Sequence, residues 1–515
     1  MTTLVRGSSD TLTRDALTVL QPGFTGTTAP DWLLRRIGEG LSAVGLFGRN
    51  IATPGQLAAL TARLRAERED VLVAIDEEGG DVTRLEVRTG SSFPGNYALG
   101  SVDDVDLTRA VARELGRRLA ECGVDLNWAP SADINSNPDN PVIGVRSFGA
   151  GTELAARHTV AYVEGLQSAG VAACTKHFPG HGDTNVDSHH ALPRIDVDLA
   201  TLHARELVPF RAAIAAGSKA VMSAHILLPA LDPNRPATLS PQILTGLLRE
   251  ELGYQGLIVT DGMEMQAISS TYGIERGSVR AIAAGADAIC VGGGLADEET
   301  VLRLRDALVT AVRDGDLPEE RLADAAARVR ALADWTRRAR GAAAEPGAAS
   351  QEGTAPGSGT EIGLVAARRA VRVTAGERPY GPVTAAAYVA ALTPVANIAV
   401  GDETPWGVAA ELAALLPGTT TGTYTSRTGT SALVADVLAA AADRRIVAVV
   451  RDVHRHPWMA AALDALIEAR PDTVVVEMGV DAAPPRGALH IATRGAARVC
   501  GRAAAEVVAG KGAGV

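Results

Sequence analysis

The sequence predicts an α/β protein with an N-terminal (β/α)8 TIM-type barrel, followed by a smaller three-layer α/β/α sandwich domain. Three observations lead to this prediction. Short apolar runs alternate with amphipathic helical stretches in the first part of the chain, polar residues end several of these runs, and a Gly/Ala-rich segment precedes a second, shorter alternation. Continuous apolar strands separated by helices are typical of a parallel sheet that is covered on both faces.

The strands of the first part are predicted from eight apolar runs. They are ALTVL (16–20), AVGLFG (43–48), VLVAID (71–76), VDLNWAP (124–130), VAACTKHF (171–178), KAVMSAH (219–225), GLIVTDG (256–262) and DAICVGG (287–293). Eight such runs over about 300 residues favour a barrel. A doubly wound open sheet is the main alternative.

Polar residues stand at the carboxyl ends of these predicted strands. They are Asp76, Asn127, Lys176 with His177, His225 and Asp261. Parallel barrels gather their active sites at this end of the strands. We therefore expect these side chains to converge on one mouth of the barrel.

The domain boundary is predicted at residues 341–360, GAAAEPGAASQEGTAPGSGT. This composition buries too little apolar area to offset the entropy of ordering the segment. A chain of 515 residues also exceeds the size at which a single core stops growing. We expect a catalytic barrel over 1–340, a linker over 341–360 and the sandwich domain over 361–515.

The second domain is predicted from a further alternation of strands and helices. Its strand-like runs are AAYVAAL (386–392), RIVAVVRD (445–452), DTVVVEMG (472–479) and GALHIAT (487–493), and its helices include GVAAELAALLP (407–417) and MAAALDALIEA (459–469). No Walker-type or GxGxxG loop follows a strand, so a nucleotide-binding role is not supported. The two histidines of RDVHRHPW (451–458) are predicted to lie in a helix-start loop rather than in a site.

Composition argues against several classes of protein. The formal net charge of −11 and the aromatic content of 3% disfavour a surface for nucleic acid or an anionic membrane, which needs clustered Lys and Arg. The N-terminus lacks a basic and apolar leader, and no apolar run approaches the roughly 18 residues that span a bilayer. We expect a cytoplasmic protein. Its four cysteines are predicted to be buried free thiols: Cys122, Cys174, Cys290 and Cys500.

The segment KHFPGHGDTNVDSHH (176–190) concentrates ionisable residues and allows three interpretations: a metal site, an acid/base catalytic loop or a solvated polar loop. Ligands for zinc or iron would come from His177, His181, Asp183, His189 and His190. Phe178-Pro179-Gly180 and Gly182 break any helix here, so these rings have no fixed helical spacing, which disfavours a metal site.

The acid/base interpretation depends on Asp187, Ser188 and His189. A turn brings a carboxylate two residues before an imidazole onto a ring nitrogen, which favours the imidazolium and raises its pKa from about 6.5. Such a histidine can donate a proton to a leaving group and later take one from water. Asp261, at the end of its strand, is a candidate nucleophile or electrostatic partner. The alternative role for Asp261 is to cap the following helix.

A set of donors and acceptors suited to gripping sugar hydroxyls or a carboxylate completes the candidate site. The set is Asp76, Arg84, Arg146, Lys176 and His177. Taken singly, each of them could instead be an ion-pair residue at a strand end.

Several motifs occur in the order and approximate spacing of family 3 glycoside hydrolases, and more narrowly resemble the β-N-acetylglucosaminidase branch. They are IDEEGGDVTRL (75–85), NWAPSADIN (127–135), GVRSFG (144–149), KHFPGHGDTNVDSHH (176–190), MSAHI (222–226), PATLSPQIL (236–244) and GLIVTDGMEM (256–265). The resemblance covers essentially the whole first domain. The second domain resembles, more weakly, the α/β sandwich of the two-domain members.

The resemblance implies a role for each candidate residue. Asp261 is implied to be the nucleophile of a retaining mechanism, and His189, paired with Asp187, the general acid/base. The five gripping residues fall on positions that hold the nonreducing N-acetylglucosamine. No metal or cofactor is implied. Gly262 departs from the pattern, since relatives often carry Asp or Ala after the nucleophile.

The expected function is hydrolysis of terminal β-linked N-acetylglucosamine from muropeptides or chito-oligosaccharides, with muropeptide recycling in the cytoplasm as the natural context. Phosphorolysis is an alternative, because a neutral histidine base repels an incoming phosphate less than a carboxylate does. A non-catalytic sugar-binding protein and a metal-dependent hydrolase are further alternatives.

Overall fold

The structure is a computed structural model that describes residues 2–189, 191–344, 360–377, 380–395, 399–401 and 403–511. Eight short strands form the sheet of the first domain. They are β1 (Leu20–Pro22), β2 (Ala43–Leu46), β3 (Leu72–Ile75), β4 (Leu126–Asn127), β5 (Ala172–Phe178), β6 (Ala220–Ser223), β7 (Leu257–Thr260) and β8 (Ile289–Val291).

These strands form a curled parallel sheet. β2 to β7 pair in chain order, and β1 pairs with β8. A bridge between Val259 and Ala288 joins β7 to the residue before β8, and β1 lies beside β2. The strand order does not reverse, which excludes the doubly wound alternative, because that fold has a switch point.

The inside of the curled sheet is a core of alternate side chains from β2 to β8. Leu72 and Ala74 of β3, for example, share it with Leu257 and Val259 of β7. The other set of side chains packs outward into a larger core against the helices. The period of two along each strand thus divides apolar residues between two cores.

The helices of the first domain lie around this sheet, and Val329, Leu332 and Ala333 of the last of them enter its inner core. They are α1 (Thr2–Thr18), α2 (Asp31–Glu39), α3 (Pro54–Glu67), α4 (Asn96–Val102), α5 (Val105–Glu121), α6 (Thr152–Ser168), α7 (Leu199–Thr201), α8 (Leu207–Ala215), α9 (Gln266–Tyr272), α10 (Ile274–Ala284), α11 (Glu298–Asp314) and α12 (Glu319–Ala344). Two π-helical segments span Leu202–Glu206 and Gln242–Glu251, and 3-10 turns span Gly48–Asn50, Gly144–Arg146 and Ala237–Leu239.

The first predicted strand was wrong in position. Residues 16–18 of the run ALTVL belong to the end of α1, and the strand is Leu20–Pro22. Leu12 and Ala16 are both buried, and their spacing of four residues places them on one face of a helix. The apolar pattern around residue 16 therefore belongs to that helix face.

The predicted linker falls largely outside the described residues, which omit 345–359. At its start the prediction was wrong, because residues 341–344 are the last turn of α12. Their alanines have the highest helix propensity of any residue. The placement of the domain boundary stays a prediction.

The second domain contains a six-stranded sheet in the order β11-β10-β12-β13-β14-β9, in which β9 is antiparallel. Its strands are β9 (Arg372–Ala375), β10 (Tyr388–Leu392), β11 (Thr420–Tyr424), β12 (Ile446–Val450), β13 (Val474–Glu477) and β14 (Leu489–Ala492). Its helices are α13 (Thr360–Ala370), α14 (Ala409–Leu415), α15 (Thr430–Ala441), α16 (Pro457–Ala469) and α17 (Arg498–Val508).

The four predicted strands of this domain are β10, β12, β13 and β14, and the two that were not predicted, β9 and β11, are the edges of the sheet. Most residues of β9 and β11 are exposed, so they lack the apolar run that identified the others.

The central strand β12 has a core on each side. Val447 and Val449 enter one core with Leu412 of α14. Ile446 and Val450 enter a second core with Leu463 of α16.

All four cysteines are buried and free, as predicted. Within the described ranges, every helix is too short or too polar to cross a membrane.

Candidate active site

A cavity of about 480 Å³ opens at the carboxyl ends of the strands of the first domain. Seven of the eight predicted site residues line it: Asp76, Arg84, Arg146, Lys176, His177, His189 and Asp261. The eighth, Asp187, contacts His189 from the neighbouring cleft. Of the strand-end residues that were expected to converge, Asp76, Lys176, His177 and Asp261 line this cavity, whereas Asn127 and His225 are not among its lining residues.

Asp261 follows the last residue of β7, and its backbone N–H donates to Ser223 O of β6 at 3.2 Å. Its Oδ1 accepts the N–H of Gly262 at 2.8 Å. Behind it, His225 Nε2 lies 2.9 Å from Gly262 O, while the other ring nitrogen lies 2.9 Å from the hydroxyl of Thr238. α9 begins only at Gln266, without a side-chain cap, so the helix-cap alternative for Asp261 was wrong.

Asp261 is held as a carboxylate. Burial by itself raises its pKa, but the nearby imidazoles of His225, His177 and His189, with the Gly262 N–H, lower the pKa to about 2. A buried anion that faces a cavity can attack an electrophilic carbon or stabilise a cation.

His189 is oriented by Asp187, as the turn prediction expected. Its Nδ1 lies 2.7 Å from Asp187 Oδ1, and its backbone N–H donates to the same oxygen at 2.9 Å. An imidazole that donates from Nδ1 to a carboxylate presents Nε2 to its other side. His189 can therefore exchange a proton in the cavity that Asp261 also lines.

Lys176 and Arg146 share a buried carboxylate that sequence reasoning missed, Glu78. Lys176 Nζ lies 2.6 Å from Asp76 Oδ1 and 2.7 Å from Glu78 Oε1, and Arg146 Nη2 lies 2.6 Å from Glu78 Oε1. Burial alone raises the pKa of Glu78, but Arg146 and Lys176 hold it well below its usual range. Glu78 lies inside the motif IDEEGGDVTRL, two residues after Asp76. Its position beside a predicted site residue is the feature of the sequence that could have identified it.

His177 depends on a second missed carboxylate, Asp133. His177 Nδ1 lies 2.7 Å from Asp133 Oδ2. Asp133 is buried and also accepts the backbone N–H of His181 at 2.7 Å. Burial opposes ionisation of Asp133, yet the imidazole of His177 holds its pKa far below the ordinary value. Asp133 lies in the motif NWAPSADIN, after β4.

Arg84 links the site to the second domain. Its Nη2 lies 3.4 Å from Asp76 Oδ2 and donates to Ala399 O at 2.8 Å. Ala399, which follows β10, also lines the cavity. The second domain therefore contacts the wall of the site.

The other polar residues of the histidine-rich segment have partners of their own. Asp183 Oδ2 lies 2.6 Å from Arg205 Nη2, and His181 Nε2 lies 3.1 Å from Ser188 Oγ. Burial lowers the pKa of His181 to about 4. Over the described part of the chain, no group of three or more His, Cys, Asp or Glu side chains converges as metal ligands would. His190 lies outside the described residues.

Glu264 is a further lining residue that the sequence did not indicate. Its Oε1 accepts the N–H of Gly292 at 2.9 Å and that of Gly293. A Cβ at Gly262 would lie 3.3 Å from Glu264 Oε2. The absence of a side chain at Gly262 therefore leaves room for this carboxylate.

Comparison with known proteins gives a consistent result. The family described as "Glycosyl hydrolase family 3 N terminal domain" matches residues 35–332. Beta-hexosaminidase A of Pseudoalteromonas piscicida is 36% identical over 312 residues, which are 56% of this chain and 52% of that protein. The match thus spans about half the length of this relative. A beta-hexosaminidase of Neisseria meningitidis serogroup C is 36% identical over 265 residues, 50% of this chain and 73% of that protein.

A solved structure resembles the whole chain. It is a glycoside hydrolase family 3 beta-N-acetylglucosaminidase from Paenibacillus sp. str. FPU-7, with 36% sequence identity and a TM-score of 0.82. The similarity covers 97% of both chains, so it includes the second sheet as well as the first.

Proposed function

Because this chain belongs to glycosyl hydrolase family 3, we propose that it is a retaining exo-β-N-acetylglucosaminidase with Asp261 as nucleophile and His189, paired with Asp187, as general acid/base. The observation that carries this proposal is that Asp261 and His189 line one cavity, each already held by its own partners.

In the first step, Asp261 attacks the anomeric carbon while His189 Nε2 gives its proton to the departing oxygen. The glycosidic bond breaks as the bond to Asp261 forms, which yields a glycosyl-aspartate. In the second step, His189 takes a proton from water, which attacks the same carbon and releases Asp261. The transition states carry positive charge near the ring oxygen, so the buried carboxylate stabilises them more than the neutral ground state.

The nonreducing sugar is held by Asp76, Arg84, Arg146, Lys176 and His177. The ion pairs of Glu78 with Lys176 and Arg146, and the contact of Asp133 with His177, orient these side chains. Donors and acceptors that are already held in place bind hydroxyls with little further loss of side-chain conformational entropy. The similarity to beta-hexosaminidases and to a beta-N-acetylglucosaminidase supports N-acetylglucosamine as that sugar.

For the finer architecture we propose a (β/α)8 barrel over residues 1–340 and a three-layer α/β/α sandwich over 361–515. The single inner core shared by β2 to β8 supports the barrel. The two cores on opposite sides of β12 support the sandwich. Muropeptides or chito-oligosaccharides as substrates and a cytoplasmic location belong to the same proposal.

The proposal is tested with nitrophenyl glycosides and the variant Asp261→Asn. We expect the wild-type chain to release nitrophenol from the β-N-acetylglucosaminide far faster than from the β-glucoside. Asp261→Asn is expected to lower kcat by at least about a thousandfold, because an amide cannot form the glycosyl ester. Near-normal turnover by Asp261→Asn would show that another group is the nucleophile.

Phosphorolysis is the second candidate, and the imidazole at the acid/base position is the observation that favours it. A neutral imidazole at this position repels an incoming phosphate less than a carboxylate in the same place would. Running the same reaction with and without phosphate separates the two. N-acetylglucosamine as the sole product in phosphate supports the hydrolase, and N-acetylglucosamine 1-phosphate identifies the phosphorylase.

A further inference from the structure

Arg205 ties the segment that carries His189 to the helical layer of the first domain. We call residues 181–189, which follow β5, the acid/base loop. Arg205 Nη2 donates to Asp183 Oδ2 of this loop at 2.6 Å, and Arg205 Nε donates to Glu206 Oε1 at 2.5 Å. Arg205 and Glu206 lie on the π-helical segment Leu202–Glu206, which precedes α8. The proposed catalytic roles leave this bridge without a function.

Glu206 is the buried end of the bridge, since its side chain is only 2% exposed. A Cβ at Gly180 would lie 2.8 Å from Glu206 Oε2, so the carboxylate packs directly against the backbone that leads into the acid/base loop. Burial, together with the carboxylates of Asp133 and Asp183, raises the pKa of Glu206 to about 7, while the guanidinium of Arg205 opposes this shift. Arg205 therefore stabilises the buried anion, and the attraction between them fixes where the guanidinium lies.

The guanidinium brings this fixed position to the loop. Its nitrogens form a rigid planar fork, so the contact of Nε with Glu206 also sets the direction of Nη2. Asp183, which is 34% exposed, thus meets a cation that is already held in place. An ion pair between two mobile surface side chains contributes little, whereas this one has an anchor in the interior. π-helical turns are also frequent at functional sites.

Asp183 lies between the anchored start of the loop and the catalytic pair. Asn140 Nδ2 donates to Gly182 O at 2.9 Å, immediately before Asp183. Asp187, which orients His189, follows four residues after Asp183. A general acid has to lie within hydrogen-bond reach of the atom that it protonates, and a displacement of about 1 Å is enough to impair it. Over so short a stretch of chain, a shift of Asp183 also shifts His189.

We propose, on the basis of the function proposed above, that Arg205 is a positioning residue for the general acid/base. By bridging Asp183 to the buried Glu206, it holds the acid/base loop where His189 reaches the glycosidic oxygen. Arg205 itself touches neither the sugar nor the reacting atoms in this proposal. Its contribution consists of placing the proton donor.

Asp183→Ala removes the loop side of the bridge and leaves the pair of Arg205 with Glu206 intact. We expect kcat/KM for an alkyl β-N-acetylglucosaminide to fall about tenfold, because a displaced His189 delivers its proton less well. The dinitrophenyl glycoside, whose leaving group needs no proton, is expected to lose less than about threefold.

The matched control is Asp196→Ala, which removes a carboxylate that is 65% exposed and pairs with Arg194. It is expected to leave both substrates unaffected. An equal loss on the two substrates in Asp183→Ala, or no loss, would overturn the proposal, because a general loss of structure does not distinguish between leaving groups.

Arg205→Ala breaks the same contact from the other side and is expected to show the same dependence on the leaving group. The double variant Asp183→Ala/Arg205→Ala should lose no more than Arg205→Ala alone, because both changes remove one contact. Arg211→Ala, which removes a 39% exposed arginine of α8 that contacts His203, is the matched control. Additive losses would show that Asp183 and Arg205 act independently and would overturn the bridge.

Hydrogen exchange of the full-length chain without substrate keeps this proposal separate from the proposed function. Backbone amides of the acid/base loop are expected to exchange about tenfold faster in Asp183→Ala than in the wild type, whereas those of α8 stay unchanged. Such a difference supports the bridge even if the wild type hydrolyses neither glycoside, in which case the proposed function fails. Unchanged exchange alongside normal hydrolysis by the wild type would remove the bridge and leave the function.

Discussion

At Asp261, two opposing effects set the charge of the carboxylate. Burial disfavours the anion, whereas three imidazoles and one backbone N–H favour it, and the pKa falls to about 2. The proposed nucleophile is therefore ionised throughout the range in which most proteins are folded. At His189, the contact of Nδ1 with Asp187 fixes the direction of the ring.

His189→Ala tests the proton transfer. We expect kcat/KM to fall by roughly 10² to 10⁴ for an alkyl glycoside, because the departing oxygen then leaves unprotonated. A dinitrophenyl glycoside, whose leaving group needs no proton, is expected to lose far less. Since kcat/KM covers only the steps up to formation of the glycosyl-enzyme, the second step does not obscure the comparison.

The control for this experiment is His203→Ala, which removes a partly exposed imidazole on the π-helical segment Leu202–Glu206. It is expected to leave both substrates unaffected. An equal loss on the two substrates in His189→Ala would argue that His189 is only structural.

Glu78→Gln tests the buried ion pairs. The change leaves Lys176 with Asp76 alone and deprives Arg146 of its carboxylate, so we expect the free energy of unfolding to fall by roughly 3–5 kcal/mol. Because folding lowers the pKa of Glu78, its stabilisation is present above its unfolded pKa of about 4.3 and is lost as the pH falls toward the folded value. The difference from wild type should therefore shrink below about pH 4.

Thermal and denaturant unfolding of Glu78→Gln, measured at several pH values, check this expectation. Glu121→Gln serves as the control, because Glu121 pairs with Arg117 on the surface and is 61% exposed. That change should stay within about 0.5 kcal/mol. A Glu78→Gln effect no larger than this would mean that the buried cluster contributes little to stability.

At the scale of elements, β5 and the loop that follows it position most of the site. β5 ends at Phe178, so Lys176 and His177 lie on the strand, while His181 to His189 lie on the loop above it. The loop packs closely on the segment after β4, since a Cβ at Gly182 would lie only 1.6 Å from Ile134 O. Glycine at 182 therefore sets the distance between the acid/base loop and the rest of the site.

Gly182→Ala is expected to displace this loop and to lower kcat/KM by about a hundredfold, as misplacement of a catalytic group by about 1 Å does. Far-UV circular dichroism should remain close to that of the wild type. Gly55→Ala is the control, because a Cβ at Gly55 meets nothing within 4 Å. Wild-type activity in Gly182→Ala would show that the loop tolerates a different position.

At the scale of the whole molecule, polar contacts hold the two domains together around the site. Tyr97 of α4 donates its hydroxyl to Asp481 Oδ1 at 2.6 Å, and Arg369 of α13 lies 2.7 Å from Asp104. Arg84 on Ala399 and Arg451 on Asp81 are two further contacts between the domains. We expect the two domains to unfold in one transition, because they share these contacts.

Tyr97→Phe removes one of these contacts without changing the shape of the side chain. We expect the free energy of unfolding to fall by about 1.5–3 kcal/mol, the range for a hydrogen bond to a charged group. Tyr272→Phe, on the surface helix α9, is the matched control and should be nearly neutral. Differential scanning calorimetry measures both. No change in Tyr97→Phe would indicate that the Tyr97–Asp481 contact adds nothing to the interface.

The sequence by itself determined the inner strands of both sheets and the seven residues that line one cavity. Inner strands are buried on both faces, so they appear as continuous apolar runs. Asp76, Lys176, His177 and Asp261 lie at the ends of such runs, whereas Arg84, Arg146 and His189 lie in the loops that follow them. The pairing of Asp187 with His189 was also predictable, because it is made within one turn of the chain.

Only the tertiary structure decided which groups hold the site residues in place and how the second domain takes part. Glu78 contacts Lys176, which is 98 residues away in the chain, and Arg451 contacts Asp81, which is 370 residues away. The edge strands β9 and β11 are identified by their pairing with β14 and β10 rather than by an apolar run. Contacts between distant residues depend on how the elements pack, and the local pattern of apolar and polar residues does not contain that information.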